Sequence, residues 1–86
     1  MMTSWLVYLV ECSDSTFYCG ITNNLENRLK KHNNGTASKY TRGRLPVVLI
    51  ACQHCDSRSA ALKLEAKVKK LPKRDKLLMF GRTVHR

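Results

Sequence analysis

The sequence holds one strong hairpin signal, formed by Trp5-Leu-Val-Tyr-Leu-Val-Glu11 and Thr16-Phe-Tyr-Cys-Gly-Ile21. Both runs are rich in β-branched and aromatic residues, which fit the pleated, half-buried surface of a strand. The polar stretch Ser13-Asp-Ser15 between them supplies the residue types that turns require. The sequence therefore predicts an N-terminal β-hairpin.

Pairing Cys12 with Thr16 across that turn predicts the register of the two strands. In this register Tyr8 faces Gly20, and Tyr18 lies diagonally from Tyr8 on the same face of the hairpin. A slip of one residue would put the two tyrosines on opposite faces. The two tyrosines are either ordinary strand aromatics or members of one site. The other face carries an apolar set that suits a core: Val7, Leu9, Phe17, Cys19 and Ile21.

Length and charge limit the class of protein. The 86 residues predict a single domain over 1–86, with its core at about 5–80 and a basic tail at 81–86. Sixteen Lys and Arg against six Asp and Glu give a net charge of +10, which favours a polyanionic partner, most commonly nucleic acid. The alternative is a basic surface that only confers solubility. The apolar run Trp5–Val10 is too short to cross a bilayer and has no signal-peptide pattern, so we expect a cytoplasmic protein without a membrane role.

The four cysteines allow a weaker, separate hypothesis. Cys52-Gln-His-Cys55 has the spacing of half a zinc site, and Cys12 with Cys19 could complete the ligand set. The predicted register puts Cys12 and Cys19 on opposite faces of the hairpin, where they cannot easily share one tetrahedral ion. We therefore expect reduced, metal-free thiols, and a zinc-stabilised interaction domain is the minor alternative.

The middle of the chain predicts one helix and one strand. The segment 25–32 has an amphipathic period, with Leu25 and Leu29 on the buried stripe. Arg28 and His32 form an i, i+4 pair that borders this stripe. The basic segment 36–44 has no hydrophobic period and is predicted as a loop. The apolar run Val47–Cys52 predicts a third strand that is either central in the sheet or covered on both faces.

The last part of the chain predicts two more helices. The first runs from Arg58 to about Lys70, with Glu65 at the edge of its buried stripe and within i, i+4 reach of Lys69. The second runs from Lys73 to Phe80 and ends at Gly81. Its expected anchors are Leu77, Leu78 and Phe80. The order ββαβαα is α+β, with helices flanking a three-stranded antiparallel sheet.

Several motifs together resemble the GIY-YIG nuclease superfamily. Leu6-Val-Tyr8 and, ten residues later, Tyr18-Cys-Gly20 resemble its paired motif. The resemblance extends to Arg28-x3-His32, to Lys39-Tyr-Thr-Arg-Gly-Arg44 and to the helical Glu65, and it covers nearly the whole chain. The chain looks like the small stand-alone GIY-YIG proteins of bacteria, and the superfamily implies the same element order.

The resemblance implies an endonuclease that hydrolyses phosphodiester bonds with one divalent metal, Mg²⁺ or Mn²⁺. Tyr8 and Tyr18 would lie at the active site, one of them helping to activate the attacking water. Arg28 would steady the charge on the phosphate, His32 would relay or position a proton, and Glu65 would hold the metal. The substrate would be nucleic acid, DNA in preference to RNA, contacted by four residues: Lys39, Tyr40, Arg42 and Arg44.

The chemistry of a phenol sets a condition on this hypothesis. With an ordinary pKa of about 10, a tyrosine is a poor base at pH 7, and it serves only if Arg28, His32 or a metal favours the phenolate. The chain also departs from the family pattern at three points, one of which is that no clear polar residue after Leu71 matches the Asn that some family nucleases use. Leu6 stands where the first motif has Gly, and Ile21 stands where several catalytic relatives have Lys. The alternative function is therefore a module of the same fold that binds nucleic acid without cutting it.

Overall fold

The fold is built on a central antiparallel sheet. The structure, a computed structural model, describes residues 5–80 and 82–83. Strand β1 (Trp5–Glu11) lies between β2 (Phe17–Thr22) and β3 (Val48–Cys55), and both neighbours are antiparallel to it. This confirms the predicted three-stranded antiparallel sheet within an α+β fold.

A short fourth strand extends the sheet. Strand β4 (Arg82–Thr83) pairs with β3, which gives the order β2-β1-β3-β4. The sequence predicted only a basic tail at 81–86, because two residues are too few to show an alternating pattern. The predicted helix stop at Gly81 and the remainder of the tail, 84–86, lie outside the described residues.

The register of the hairpin is the one that the turn predicts. Tyr8 pairs with Gly20, and Val10 pairs with Tyr18. The turn closes through a 2.8 Å hydrogen bond from the Cys12 amide to the carbonyl of Thr16. Since side chains alternate along a strand, this register sends Tyr8 and Tyr18 to the same face.

The two faces of the sheet belong to two separate clusters of buried side chains. On one face Val7, Leu9 and Cys19 pack against helix α3 (Arg58–Lys69) through Ala61 and Val68. The opposite face is covered by helix α1 (Leu25–Asn33), and its cluster contains both hairpin tyrosines together with apolar residues that include Val10, Cys12, Leu25, Leu29 and Val47. Cys12 and Cys19 are thus on opposite faces, as predicted. All four cysteines are free thiols.

The helix boundaries follow from capping side chains. Asn24 caps α1 by accepting a 3.1 Å hydrogen bond from the Asn27 amide, and Ser57 caps α3 in the same way. Beyond the end of α1, Gly35 has φ +78°, a left-handed conformation that glycine adopts without a steric penalty. No helix in the described part of the chain is long and apolar enough to cross a membrane.

The segment predicted as a loop contains an additional helix. Residues 39–42 form a single turn, α2 (Lys39–Arg42), which is capped by the side chain of Ser38. One turn holds too few residues to show a hydrophobic period, so the pattern could not reveal it. Strand β3 also runs three residues beyond the predicted end at Cys52.

The C-terminal helix differs from its prediction in shape. It consists of α4 (Lys73–Lys76) followed by a 3₁₀ turn, Leu77–Met79. With three residues per turn, Leu77 and Phe80 lie on the same side and pack against the cluster under α3. Leu78 points away and is 80% exposed, so its prediction as an anchor was wrong.

We expect Leu9→Ala to lower the free energy of unfolding by about 3 kcal/mol, because it removes a fully buried side chain and leaves a cavity. Leu78→Ala is the matched control. It makes the same chemical change at an exposed position and should cost less than about 0.5 kcal/mol. Urea unfolding followed by circular dichroism measures both variants. Equal losses would contradict the packing described for this face.

Candidate active site

Tyr8 is the centre of the candidate active site. It is fully buried on β1, and its Oη lies 2.8 Å from Nε2 of His32 and 3.4 Å from Nε of Arg28. Arg28 and His32 are one turn apart on α1, so both side chains reach the same phenol. The structure therefore brings together three of the residues that the sequence singled out.

His32 lies deeper than predicted. The sequence placed it at the border of the stripe marked by Leu25 and Leu29, yet His32 is fully buried while both leucines are only half-buried. Both ring nitrogens of His32 have partners, the Tyr8 hydroxyl at Nε2 and the Thr41 hydroxyl at Nδ1, 2.9 Å away. These partners replace the water that the imidazole loses on burial.

Tyr18 belongs to the same site through its ring. It meets the His32 ring edge-on, with centroids 5.4 Å apart and an angle of 66° between the planes. Tyr8 meets His32 in a similar way at 5.7 Å and 69°. On its other side Tyr18 stacks with Tyr40, at 5.8 Å and 29°. The imidazole is thus held between two tyrosines, as edge-to-face packing favours.

Gly20 makes room for the Tyr8 ring. A Cβ atom built on Gly20 would lie 2.5 Å from Oη of Tyr8 and 2.6 Å from its Cζ. Both atoms belong to a rigid, buried ring, so no small adjustment relieves the clash. The glycine in the second motif is therefore a steric requirement of the tyrosine in the first motif.

The buried phenol and imidazole are both neutral at pH 7. Burial raises the pKa of Tyr8, and the hydrogen bond and charge of Arg28 oppose this rise without cancelling it. Burial, followed by the charge of Arg28, lowers the pKa of His32 below 6.5. Arg28 thus acts on Tyr8 in the predicted direction, but burial has the larger effect. A phenolate forms here only when a proton leaves Tyr8 for a nearby acceptor.

Glu65 lies outside the hydrogen bonds around Tyr8. It is on α3, where its carboxylate is 3.5 Å from Nζ of Lys69, the ion pair that the spacing allowed. The Lys69 ammonium is in turn 6.0 Å from the centre of the Tyr18 ring. Glu65 also neighbours Cys19, whose pKa is raised to about 12 by burial and, second, by the charge of this glutamate. Glu65 is therefore at the margin of the site, on the Tyr18 side.

The donor set at Glu65 fits only a weakly held ion. No group of three or more His, Cys, Asp or Glu comes together within residues 5–80 and 82–83. A single carboxylate still suits Mg²⁺, which keeps several waters and takes further ligands from substrate phosphates. In the free protein, Lys69 supplies the positive charge next to this carboxylate.

The four basic-segment residues have different surroundings. Lys39 and Arg42 are exposed on α2. Arg44 has partners within the protein: its guanidinium donates to Asp14 at 2.9 Å and to the carbonyl of Tyr40 at 2.6 Å, and it covers the Tyr40 ring at 4.2 Å. Arg44 therefore holds the exposed Tyr40 against the hairpin turn. Its assignment to nucleic acid stays a prediction, as do those of the other three.

Sequence reasoning missed Thr41. This residue is fully buried and contacts His32, although it lies in a segment of mostly polar and basic residues. One signal was available: Ser38 before Lys39-Tyr-Thr-Arg42 is a typical N-cap, which predicts a helical turn. A helical turn at that place would have turned one side chain in the segment inward.

Comparison with known protein families adds evidence of a different kind. A sequence model described as the GIY-YIG catalytic domain matches residues 4–77. This stretch contains every residue that the sequence singled out for the site.

Individual relatives agree with that match. A UPF0213 protein of Nitratidesulfovibrio vulgaris is 44% identical over 73 residues, covering 85% of this chain and 66%, just under two thirds, of its own length. A UPF0213 protein of Syntrophus aciditrophicus is 43% identical over 86 residues and 99% of both chains. A solution structure of a protein from E. faecalis is 40% identical, with a TM-score of 0.63 over 90% of this chain and 82% of that one.

The lowered pKa of His32 predicts how stability depends on pH. Below about pH 6.5 the unfolded chain binds a proton at this histidine that the folded chain does not, so acid favours unfolding. The contribution of His32 to the free energy of unfolding should be constant above about pH 6.5 and should fall as the pH drops from there towards 5. Urea unfolding at several pH values measures the slope. His32→Gln should remove this slope, and His54→Gln, which alters an exposed histidine, should keep it.

Proposed function

Because the chain belongs to the GIY-YIG family, we propose that it is an endonuclease that hydrolyses phosphodiester bonds in nucleic acid, with DNA as the preferred polymer. One observation carries the proposal. The Tyr8 hydroxyl is hydrogen-bonded to an imidazole and to a guanidinium at the same time. Phosphodiester hydrolysis needs an activated water and positive charge at the phosphoryl oxygens, and these three side chains can supply both.

The proposed mechanism starts from the neutral pair. A water molecule gives a proton to Oη of Tyr8 while the phenol passes its own proton to Nε2 of His32, which is unprotonated at pH 7 because burial lowers its pKa. The hydroxide formed in this way attacks phosphorus, and the P–O bond to the leaving oxygen breaks. The leaving oxygen takes a proton from solvent. Tyr8 never has to hold a free negative charge in its buried position.

Arg28 has two tasks in this mechanism. Its Nε holds the phenol oxygen, and its charge makes the loss of the phenolic proton easier than burial alone would allow. The rest of the guanidinium is available for the oxygens of the attacked phosphate, where negative charge grows in the transition state. Tyr18 keeps the imidazole at a fixed angle by edge-on packing.

Glu65 is the proposed ligand of one Mg²⁺ or Mn²⁺ ion. Such an ion would neutralise charge at the phosphate and the leaving oxygen when bound. Glu65 would have to give up its ion pair with Lys69, in which the carboxylate side chain is only 18% exposed and the lysine side chain is 53% exposed. An i, i+4 pair on a helix is worth only a few tenths of a kcal/mol. This cost is small enough for a metal bound together with substrate phosphates.

The basic surface provides the proposed contact with nucleic acid. The exposed cations Lys39 and Arg42 on α2 lie next to Tyr40, which stacks on the active-site Tyr18. Phosphate contacts from these cations would place the backbone of the substrate beside Tyr8. The net charge of +10 supports binding that does not depend on base sequence.

A module that binds nucleic acid without cutting it is the second candidate. The Glu65–Lys69 ion pair favours it, because the proposed metal ligand already has a partner in the free protein. The departures at Leu6 and Ile21 point the same way. Cleavage assays separate the two candidates, since both predict binding.

The first test removes the Tyr8 hydroxyl. We expect the protein to nick plasmid, hairpin or single-stranded substrates in the presence of Mg²⁺, and Tyr8→Phe to slow the chemical step by about 10²-fold or more. Binding of the same substrates should change little, because the phenol is buried. Leu78→Ala serves as the control for handling and should cut like wild type. Equal cleavage by Tyr8→Phe would overturn the proposed mechanism, and no cleavage by the wild type would favour the binding module.

The second test compares two glutamates whose i, i+4 ion pairs have the same length, although the Glu65 side chain is largely buried and the Glu26 side chain is exposed. Glu65 and Glu26 each lie 3.5 Å from a lysine one turn later in a helix. Glu65→Gln should lower divalent-dependent cleavage by about 10²-fold and leave binding unchanged or slightly tighter. Glu26→Gln should leave both unchanged. If the two variants behave alike in the cleavage assay, Glu65 has no role beyond its ion pair.

A further inference from the structure

Thr41 connects the active-site histidine to the backbone of α2. Its side chain is fully buried, and its Oγ1 lies 2.9 Å from Nδ1 of His32 and 3.4 Å from the carbonyl oxygen of Ser38. The same carbonyl accepts the Arg42 amide at 3.1 Å, the hydrogen bond that closes the helical turn. Ser38 therefore offers a fixed acceptor to the Thr41 hydroxyl.

The directions of the hydrogen bonds follow from counting protons. The guanidinium of Arg28 can only donate, so the Tyr8 oxygen accepts from it and the Tyr8 proton is left for Nε2 of His32. The proton on His32 is then on Nδ1, where it is donated to Thr41. The Thr41 hydroxyl in turn donates a hydrogen bond to the Ser38 carbonyl. Every proton in this chain of hydrogen bonds has an acceptor.

The other tautomer of His32 leaves one proton without an acceptor. If His32 carried its proton on Nε2, the Tyr8 oxygen would face two donors, Arg28 and His32. The Tyr8 proton would then have no acceptor among the hydrogen bonds found in the described part of the chain. A buried hydroxyl proton without a partner is unfavourable, so the tautomer of His32 with the proton on Nδ1 is the stable one.

We infer that Thr41 is a positioning residue that holds His32 in the tautomer with the proton on Nδ1, leaving Nε2 as the base for Tyr8. This inference rests on the proposed function, because the tautomer matters chemically only if Tyr8 passes a proton to His32. In that step the water proton goes to Tyr8 and the Tyr8 proton goes to Nε2. The imidazolium formed keeps its Nδ1 proton hydrogen-bonded to Thr41, and it later returns the Nε2 proton to Tyr8 as Tyr8 releases one to water.

This role explains why a single-turn helix occupies the basic segment. A flexible loop would present the Thr41 hydroxyl in many orientations, whereas α2 fixes it against the carbonyl three residues earlier. Arg44 and Ser13 anchor the end of the segment to the hairpin turn through a 2.8 Å backbone hydrogen bond. The segment is thus tied to the hairpin that carries Tyr8.

The direct test reads the tautomer by NMR. Nitrogen chemical shifts of the histidine rings distinguish a protonated nitrogen from an unprotonated one, and a His32→Gln spectrum assigns the signal. We expect the wild type at pH 7.5 to show His32 protonated at Nδ1, and Thr41→Val to show loss of this preference. Thr41→Ser, which keeps the hydroxyl, should restore it. A wild-type proton on Nε2, or an unchanged tautomer in Thr41→Val, would overturn the inference.

The kinetic test uses the same three proteins. Thr41→Val should lower kcat by about 10- to 100-fold with little change in the dissociation constant for nucleic acid, because it alters the base and not the binding surface. Thr41→Ser should recover to within about threefold of wild type. If Thr41→Ser lowers kcat as much as Thr41→Val does, Thr41 has a packing role and the inference is overturned.

The two readouts keep this inference separate from the proposed function. If the wild type cleaves nothing, the proposed function fails, yet the expected tautomers would still support the control of His32 by Thr41. If Thr41→Val does not fold, the wild-type tautomer alone decides, since a proton on Nε2 contradicts the inference without any variant.

Discussion

The hydrogen bond between Tyr8 and His32 is the interaction on which the arrangement of this protein depends. It joins two polar side chains that are both fully buried, one on the central strand and one on the helix that covers it. A buried polar group without a partner costs about 1–3 kcal/mol, so α1 must meet the sheet in the one register that brings these atoms together. Arg28 then donates a hydrogen bond to the Tyr8 oxygen, and Thr41 is the partner of Nδ1 of His32. The same contacts therefore form the candidate site and pack this face of the sheet.

Much of the sheet could be predicted from the sequence, because its signals are local. The alternation around Tyr8 and Tyr18 and the polar turn between the strands determined the register, which in turn placed Cys12 and Cys19 on opposite faces. Helix α1 followed from its leucine period. These features depend on neighbours within a few residues, so a single sequence contains the information.

What the sequence did not reveal comes mainly from contacts between distant parts of the chain. His32 was placed at the border of a stripe because periodicity counts apolar residues, whereas its burial depends on Tyr8 and Thr41, 24 and 9 residues away. Likewise, the ion pair of Arg44 with Asp14 joins residues 30 positions apart, so the sequence around Arg44 did not reveal it. Leu78 was misplaced because a 3₁₀ turn replaces the last turn of an α-helix. The partners of His32 and Arg44 cannot be identified from any local sequence pattern.

The close approach of Tyr8 to Gly20 affects the motion of the site. The Tyr8 ring lies against the backbone of Gly20 on the neighbouring strand, and glycine has no side chain that could change rotamer. The position of the Tyr8 hydroxyl oxygen is therefore set by the main chain of a hydrogen-bonded sheet, which is among the most rigid parts of a small protein. Rotation of the ring about its own axis leaves the oxygen on that axis and in place. Surface loops can thus fluctuate while the Tyr8 oxygen stays where the hairpin puts it.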